Sequence, residues 1–151
     1  MIALWVGSLW TVGYLVAPTL FMTLADTVLA GTIAGNIFRI EAWLSLAVGL
    51  LLVALIAGTA TKSRQRNTLL WLIAAMLACT LVGYFGLQPF MASLREAAPH
   101  GVLAGTTRMQ FAVLHGFASA LYLVESILGI FLVLKHAQIG IVNSRAKPAT
   151  A

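Results

Sequence analysis

The sequence predicts an all-α integral membrane protein, a bundle of four transmembrane helices with both termini in the cytoplasm. Three observations lead to this fold class. The 151 residues are 61% hydrophobic and only 9% charged, whereas soluble domains are about 45–50% apolar and about 25% charged. The apolar residues fall into four long windows separated by polar links. The positive charges fall mainly on one side of the resulting topology.

Four windows reach the length of about 20 predominantly apolar residues that a spanning helix needs. They cover residues 2–24, 40–60, 68–94 and 107–135. Helices are predicted rather than strands, because the open edge of a sheet cannot be satisfied in hydrocarbon. The windows form one transmembrane domain, residues 1–137, and the polar remainder, residues 138–151, is predicted to be a disordered cytoplasmic tail.

The segment between the first two windows is not a plain loop. Asp26 is a plausible N-cap, and the apolar residues from Val28 to Phe38 follow a roughly helical period. We therefore expect a short interfacial helix on the outer side of the membrane, or an extension of the second spanning helix.

The distribution of positive charge gives the orientation. The link 61–67 and the tail after the fourth window carry six of the nine Lys and Arg residues. The opposite side carries Arg39, Arg95 and Arg108. The positive-inside rule places the first group in the cytoplasm and predicts a multi-pass protein of a bacterial inner membrane. Because these charges form no continuous face, the net charge of +5 does not indicate nucleic-acid binding.

The fourth window carries a polar face. Ser119 and Tyr122 lie within about 40° of His115 on a helix, and Glu125 lies about 80° away at the edge of the same stripe. Glu125 is roughly 13 Å from the inner end of this helix, near mid-membrane. An acidic group there costs about 2.5–3.5 kcal/mol, so it must face the bundle, either protonated or paired. These four residues are the candidate ligand-binding site. Glu125 could instead have a structural role, as a hydrogen-bonding group that holds two helices together.

A charged clamp is predicted at the outer ends of the helices. Glu41 begins the second window and Arg108 begins the fourth, so the two lie at similar predicted depth. We expect them to pair, or Glu41 to pair with Arg39 or Arg95 instead. The resulting cluster would form an outer gate or a structural clamp.

A soft-metal site is a further hypothesis. Met22, Met91 and Met109 fall near the outer ends of their helices, and His100 and His115 lie on the same side. Thioether and imidazole ligands together suit copper(I). Methionine is also common filler in apolar helices, so no resident cofactor is expected, with copper or haem as alternatives. The single cysteine excludes a CxxC metal or redox motif.

Small residues predict where helices approach closely, because apolar contact alone does not drive association in lipid. The second window offers Ser45 and Gly49 as such a seam, and the fourth offers Ala112, Gly116 and Ala120. Trp5 and Trp71, near the cytoplasmic ends, are predicted to be interface anchors.

Several short motifs carry a family resemblance. The opening motifs are Trp5-Val6-Gly7-Ser8-Leu9-Trp10 and Ala17-Pro18-Thr19-Leu20-Phe21. The later motifs are Gln88-Pro89-Phe90 with Leu94-Arg95, then Arg108-Met109-Gln110-Phe111 followed by Leu114-His115-Gly116 and Ser119. Over about residues 1–135 the chain resembles the bacterial domain of unknown function 4149 family, which is related to the eukaryotic transmembrane protein 205 group.

This resemblance implies a four-helix membrane domain without an established activity. The family looks distantly similar to copper-resistance D-type membrane domains and to membrane protoporphyrinogen oxidases. That similarity adds slightly to the copper and haem hypotheses, although a shared fold does not determine function.

Three functions are consistent with these patterns. The first is a binding or passage module for a small solute, proton or metal ion, which would use the polar face of the fourth helix. The second is a structural or accessory subunit without a ligand, in a homo-oligomer or with a larger membrane partner. The third is a haem- or copper-handling redox protein. No nucleophile triad, phosphate loop or paired-carboxylate motif indicates a hydrolase, so an enzyme is not favoured.

Overall fold

A computed structural model describes the backbone of residues 1–58, 63–98 and 103–146 and the side chains of these ranges up to residue 138. Its regular structure there is entirely helical. The four helices are α1 (Ile2–Thr23), α2 (Thr27–Ala57), α3 (Arg64–Glu96) and α4 (Gly105–Ala146). Each is long and apolar enough to cross a membrane. The predicted four-helix, multi-pass membrane architecture is therefore confirmed.

The segment after α1 extends α2 rather than forming a helix of its own. The Asp26 carboxylate accepts hydrogen bonds from the backbone N–H groups of Val28 and Leu29, at 2.8 and 3.1 Å, and α2 then runs without interruption to Ala57. Of the two expectations for this segment, the separate interfacial helix is wrong and the extension is confirmed. Because α2 begins at Thr27, Glu41 lies roughly 21 Å along its axis rather than at its start.

The other helix boundaries also extend past the predicted windows. Ser63 caps α3 by accepting a hydrogen bond from the N–H of Arg66 at 3.1 Å. The Arg66 guanidinium in turn donates to the carbonyls of Ile56 and Ala57 at the end of α2. At the other terminus α4 continues to Ala146, beyond position 135 and into the predicted tail. Residues 147–151 lie outside the described part of the chain.

The helices form a ring in which each packs on its neighbours in sequence. α2 lies between α1 and α3, while α4 closes the ring by packing on α3 and α1. Consecutive helices joined by short links are antiparallel. The start of α1, the end of α2 and the start of α3 therefore lie at one end of the bundle, which we call the terminal end. The end of α1, the start of α2, the end of α3 and the start of α4 lie at the other, which we call the loop end.

The half of the bundle nearer the terminal end, the close-packed half, contains the apolar core. Its buried residues are Ile2, Trp5, Val6, Leu52, Leu69, Ile73, Met76, Leu77 and Leu132. Gly49 lies directly against Leu77, as its predicted seam requires, and Gly129 lies against Val6 and Met76. Trp5 is only 1% exposed and belongs to this core, so its predicted role as an interface anchor is wrong. Trp71 is exposed, as expected of an anchor.

Two π-helical turns mark where the close-packed half ends. They cover Thr11–Val16 in α1 and Leu81–Leu87 in α3, and each contains a Val-Gly-Tyr sequence. Pro18 and Pro89 follow just beyond them. A proline has no backbone N–H and cannot donate a hydrogen bond to the carbonyl four residues earlier. In each helix that carbonyl belongs to a residue inside the π turn. The π turns therefore accommodate the missing backbone bonds, and such turns are frequent at functional sites.

Candidate functional site

A cavity of about 570 Å³ occupies the half of the bundle nearer the loop end, the hollow half. All four helices contribute to its wall, which is mostly apolar. The polar or ionisable side chains that line it are Tyr14, Glu41, Ser45, Cys79, Thr80, Tyr84, Gln88, Arg95, His115, Ser119, Tyr122 and Glu125. Such a pocket, apolar with a few polar groups, has the character of a small-molecule site.

Two glutamates form the floor of this cavity. Glu125 of α4 and Glu41 of α2 are each only 5% exposed. The Thr80 hydroxyl donates to Glu125 Oε1 at 2.7 Å, and the Ser8 hydroxyl donates to Glu41 Oε1 at 3.1 Å. The two carboxyl groups are near enough to interact electrostatically. The structure therefore places a pair of acidic groups at one cavity floor, far from the ends of two helices that are long and apolar enough to cross a membrane.

The hydroxyl partners suit either protonation state of these carboxyls. The Thr80 oxygen also lies 3.2 Å from the carbonyl of Met76, and the Ser8 oxygen lies 2.8 Å from that of Trp5. A hydroxyl has one hydrogen and two lone pairs. It can donate to a carboxylate, or it can donate to the helix carbonyl and accept from a protonated acid. Each glutamate thus keeps a hydrogen bond whether or not it carries a proton.

The second oxygen of the Glu125 carboxyl faces the cavity. Among the described residues, Oε2 of Glu125 takes part in no hydrogen bond, whereas Glu41 has a second hydroxyl partner, Ser45, in addition to Ser8. Fully enclosed side-chain N and O atoms without partners are absent from the same part of the chain. The Glu125 Oε2 atom must therefore retain accessible surface, and for a side chain this deeply buried that surface lies in the cavity it lines.

Tyr122 is a fixed part of the same floor. Its hydroxyl donates to the carbonyl of Leu9, and its ring meets Phe38 and Tyr14 edge to face, with centroids 5.4 and 6.2 Å apart. A side chain at Gly13 would overlap the Tyr122 ring, so only glycine allows this approach. Because its hydroxyl is engaged by the backbone, Tyr122 shapes the site rather than offering a free polar group.

A column of planar groups forms the wall toward the loop end. The Arg95 guanidinium lies 4.8 Å from the centroid of the Phe111 ring, a cation–π contact. His115 stacks on the same ring, with centroids 6.0 Å apart and planes 7° apart. Arg95 also reaches the carbonyl of Gly31 on α2 at 3.5 Å. The wall is thus built from α2, α3 and α4 together.

The predicted charged clamp is not formed. Within the described ranges, Glu41 has Ser8 and Ser45 as hydrogen-bond partners and makes no ion pair with Arg39, Arg95 or Arg108. The reason is the longer α2, which carries Glu41 down to the floor of the cavity while Arg95 stays near the loop end. Arg39 and Arg108 are exposed and lie outside the cavity wall.

The cavity opens sideways between α1 and α4. In α1 the segment Ile2–Trp10 makes the close packing against α4, whereas Ala17–Thr23 packs on α2. Pro18 and Phe21 on one side of the resulting gap, and His115 and Ser119 on the other, are exposed and line the cavity. In a transmembrane bundle a side opening of this kind faces the lipid.

The predicted ligand-binding residues His115, Ser119, Tyr122 and Glu125 all line this one cavity. The candidate copper ligands are not brought together in the same way. Met91 is buried in the wall, but Met22 and Met109 are 86% and 72% exposed and lie outside it, and His100 falls outside the described residues. The described ranges contain no group of three or more His, Cys, Asp or Glu residues placed to hold a metal.

Sequence reasoning missed the hydroxyl partners at the floor. Ser8 and Thr80 occur singly in apolar helices, and the sequence offered no sign that each would meet a glutamate on another helix. Their spacing within their own helices predicts only a bond to a carbonyl three or four residues earlier, which both do make.

Comparison with known proteins adds one finding. A family model described as "Domain of unknown function (DUF4149)" matches residues 1–100. That range includes α1, α2 and α3 and therefore Glu41, Thr80 and Arg95, while α4 with Glu125 follows it. Searches of curated proteins and of solved structures gave no match.

Proposed function

The chain belongs to the DUF4149 family of domains of unknown function, and on that premise we propose that it binds a small solute inside the membrane. The observation that carries this proposal is the cavity of about 570 Å³ whose floor holds Glu41 and Glu125. Apolar walls bury most of such a ligand, and the few polar groups orient it. The carboxyl groups of two deeply buried acids supply that orientation.

Binding is favoured over free passage by the contrast between the two halves of the bundle. The cavity ends on Leu9 and Ser45, and the buried Trp5 outside its wall donates a hydrogen bond to Ser45 at 2.8 Å. Beyond lie Ile73, Met76 and Leu132, which have no measurable exposure. A solute in the cavity would have to displace this core to cross the membrane.

The charge pattern orients this site in the membrane. If the basic link and the tail are cytoplasmic, as the positive-inside rule indicates, the close-packed half faces the cytoplasm. The hollow half then faces the outer side of a bacterial inner membrane. Labelling of a cysteine introduced at the exposed loop-end residue Ala25, in Cys79→Ala protein, by an impermeant maleimide in intact cells tests this orientation.

Methionine methyl groups provide a direct test of binding. Of the five methionines, Met91 lines the cavity and Met76 lies in the close-packed half. Protein labelled with 13C at the methionine methyls would be titrated in micelles with ethylbenzene, a small neutral probe. The Met91 resonance should shift and saturate, while Met76 stays in place. A Met91 resonance that does not respond would overturn the proposal.

A matched pair of substitutions on α4 separates binding from a purely structural role. Ala118 lines the cavity, whereas Ala112 is exposed outside it. Ala118→Phe should fill the cavity and abolish the Met91 shift, and Ala112→Phe should leave it unchanged.

A structural or accessory subunit is the second candidate, and one observation favours it. Ala112, Gly116 and Ala120 are exposed, and a Cβ at Gly116 would meet open space. This face was predicted to pack within the bundle, which is wrong, and small residues allow close approach of a further helix. If Ala112→Phe changes the oligomeric state while ethylbenzene leaves Met91 unaffected, the structural function replaces the binding function.

A further inference from the structure

The side opening indicates where a ligand comes from. It lies between Pro18 and Phe21 of α1 and His115 and Ser119 of α4, and it faces lipid in a membrane-spanning bundle. A molecule that enters here passes through hydrocarbon and then along apolar walls. The solute must therefore be soluble in lipid in the form in which it arrives.

The floor indicates the chemistry of the end that enters first. Its free polar atom is the Oε2 oxygen of Glu125, which accepts hydrogen bonds when ionised, and the Glu41 carboxyl lines the same floor. The basic groups lie elsewhere: Arg95 is occupied by Phe111 and the Gly31 carbonyl, near the loop end. The deepest part of the cavity therefore suits a hydrogen-bond donor or a positive charge, and does not suit an anion.

Resting on the binding function proposed above, we infer that the ligand is a small hydrophobic amine that pairs with Glu125 and Glu41. A neutral amine dissolves in lipid, so it can reach the floor through the side opening. There the O–H bond of a protonated Glu125 breaks and an N–H bond forms on the amine. The product is an ammonium–carboxylate pair, and no net charge has entered the membrane.

The surroundings of Glu125 are consistent with this transfer. Thr80 retains a hydrogen bond to Glu125 before and after it, because the hydroxyl can accept from the acid or donate to the carboxylate. The other ionisable groups that line the same floor are Tyr14, Glu41, Cys79 and Tyr122, which are all uncharged or negative. An ammonium group therefore meets no competing cation at the floor.

Three probes of similar size test the charge preference. Benzylamine, its neutral analogue ethylbenzene and the anion benzoate would each be titrated against methionine-labelled protein, with the Met91 methyl shift as the readout. Because hydrogen bonds to charged groups exceed neutral contacts, benzylamine should bind at least about tenfold more tightly than ethylbenzene. Glu125→Gln should reduce this ratio to about one while leaving ethylbenzene binding unchanged.

Controls keep the outcomes distinct. Glu96→Gln removes an exposed acid outside the cavity and should change no affinity, and an unshifted Met76 resonance shows that each variant is folded. Equal binding of benzylamine and ethylbenzene to the wild type, or tighter binding of benzoate, overturns the amine inference and leaves the binding function standing. A Met91 resonance that responds to none of the three probes overturns both.

Discussion

The two halves of this bundle are built from the same four helices and differ in almost every physical respect. In the close-packed half, Trp5, Ile73, Met76 and Leu132 are each at most 1% exposed. In the hollow half the same helices surround a cavity of about 570 Å³, and two buried acids lie at the floor of this cavity. Lipid tails are as apolar as the core, so helix association depends on packing and hydrogen bonds. One half can therefore stabilise the fold while the other stays open for a ligand.

A belt of hydrogen bonds between helices lies where the halves meet. Trp5 donates to Ser45, Tyr14 to Ser126, and Thr80 to Glu125, at 2.8, 3.0 and 2.7 Å. These bonds tie α1 to α2 and α4, and α3 to α4. The floor of the cavity is thus also the boundary of the core, and the acids lie where these bonds join the helices.

The largest change in the free energy of unfolding is expected when two leucines of α4, one in each half, are compared by substitution. Leu132 is fully buried in the close-packed half, while the side chain of Leu123 lines the cavity and is 53% exposed. Leu132→Ala should lower the free energy of unfolding by about 2–4 kcal/mol, because it leaves a void among close-packed neighbours. Leu123→Ala should change it by less than about 0.5 kcal/mol. Unfolding in dodecyl sulfate mixed micelles, followed by circular dichroism, measures both, and equal losses would remove the distinction between the halves.

Thr80→Val tests the belt from the side of the hollow half. It removes the hydroxyl that partners Glu125 and should cost about 1–2 kcal/mol of unfolding free energy, because a buried acid then loses its bond. Thr11 is the control, since its exposed hydroxyl bonds only to the carbonyl of Gly7. Thr11→Val should stay within about 0.5 kcal/mol of the wild type in the same assay. A similar result for both would mean that the Glu125 contact contributes nothing to stability.

Trp5→Phe tests the belt from the side of the core. It deletes the indole N–H that donates to Ser45 and should cost about 1 kcal/mol. Trp71→Phe, at an exposed position, should have an effect within about 0.5 kcal/mol. Quenching of tryptophan fluorescence by acrylamide would check the difference independently, because the exposed Trp71 should be accessible to the quencher and the buried Trp5 should not. Comparable destabilisation by both variants would contradict the core position of Trp5.

The smallest changes in the free energy of unfolding are expected for Gly→Ala substitutions. Their sign should differ between the two halves of the bundle. A Cβ at Gly49 would overlap Leu77, whereas one at Gly83 would meet open space. Gly49→Ala should cost about 0.5–1 kcal/mol, because overpacking outweighs the gain in helix propensity. Gly83→Ala should be neutral or stabilise by up to about 1 kcal/mol. Thermal unfolding of the two variants side by side resolves the signs, and a stabilising Gly49→Ala would show that the core is looser than its burial indicates.

The sequence identified one wall of the site and misplaced another. The helical period on α4 brought His115, Ser119, Tyr122 and Glu125 to one face, and all four line the cavity. The second apolar window, residues 40–60, predicts that Glu41 lies at the outer mouth, because Glu41 stands at its start. The capped helix that begins at Thr27 carries it to the floor instead.

Small residues and tryptophans show the limit of pattern reasoning in a membrane helix. Gly49 and Gly116 have the same local signature, yet one is packed against Leu77 and the other faces open space. Trp5 and Trp71 both lie near the ends of apolar windows, yet one is core and the other exposed. Lipid and protein interior are equally apolar, so a hydrophobic pattern does not distinguish the face that packs from the face that meets lipid.

By itself the sequence determined that four helices cross a membrane and that an acid in the fourth must turn inward, because hydrocarbon excludes unpaired backbone and charge. Only the tertiary structure decided that Glu41 joins Glu125, that Ser8 and Thr80 partner them, and that the bundle is filled at one end and hollow at the other. Those features depend on the relative axial positions of different helices. The positions are set by helix length, caps and packing between helices, which no pattern within a single helix records.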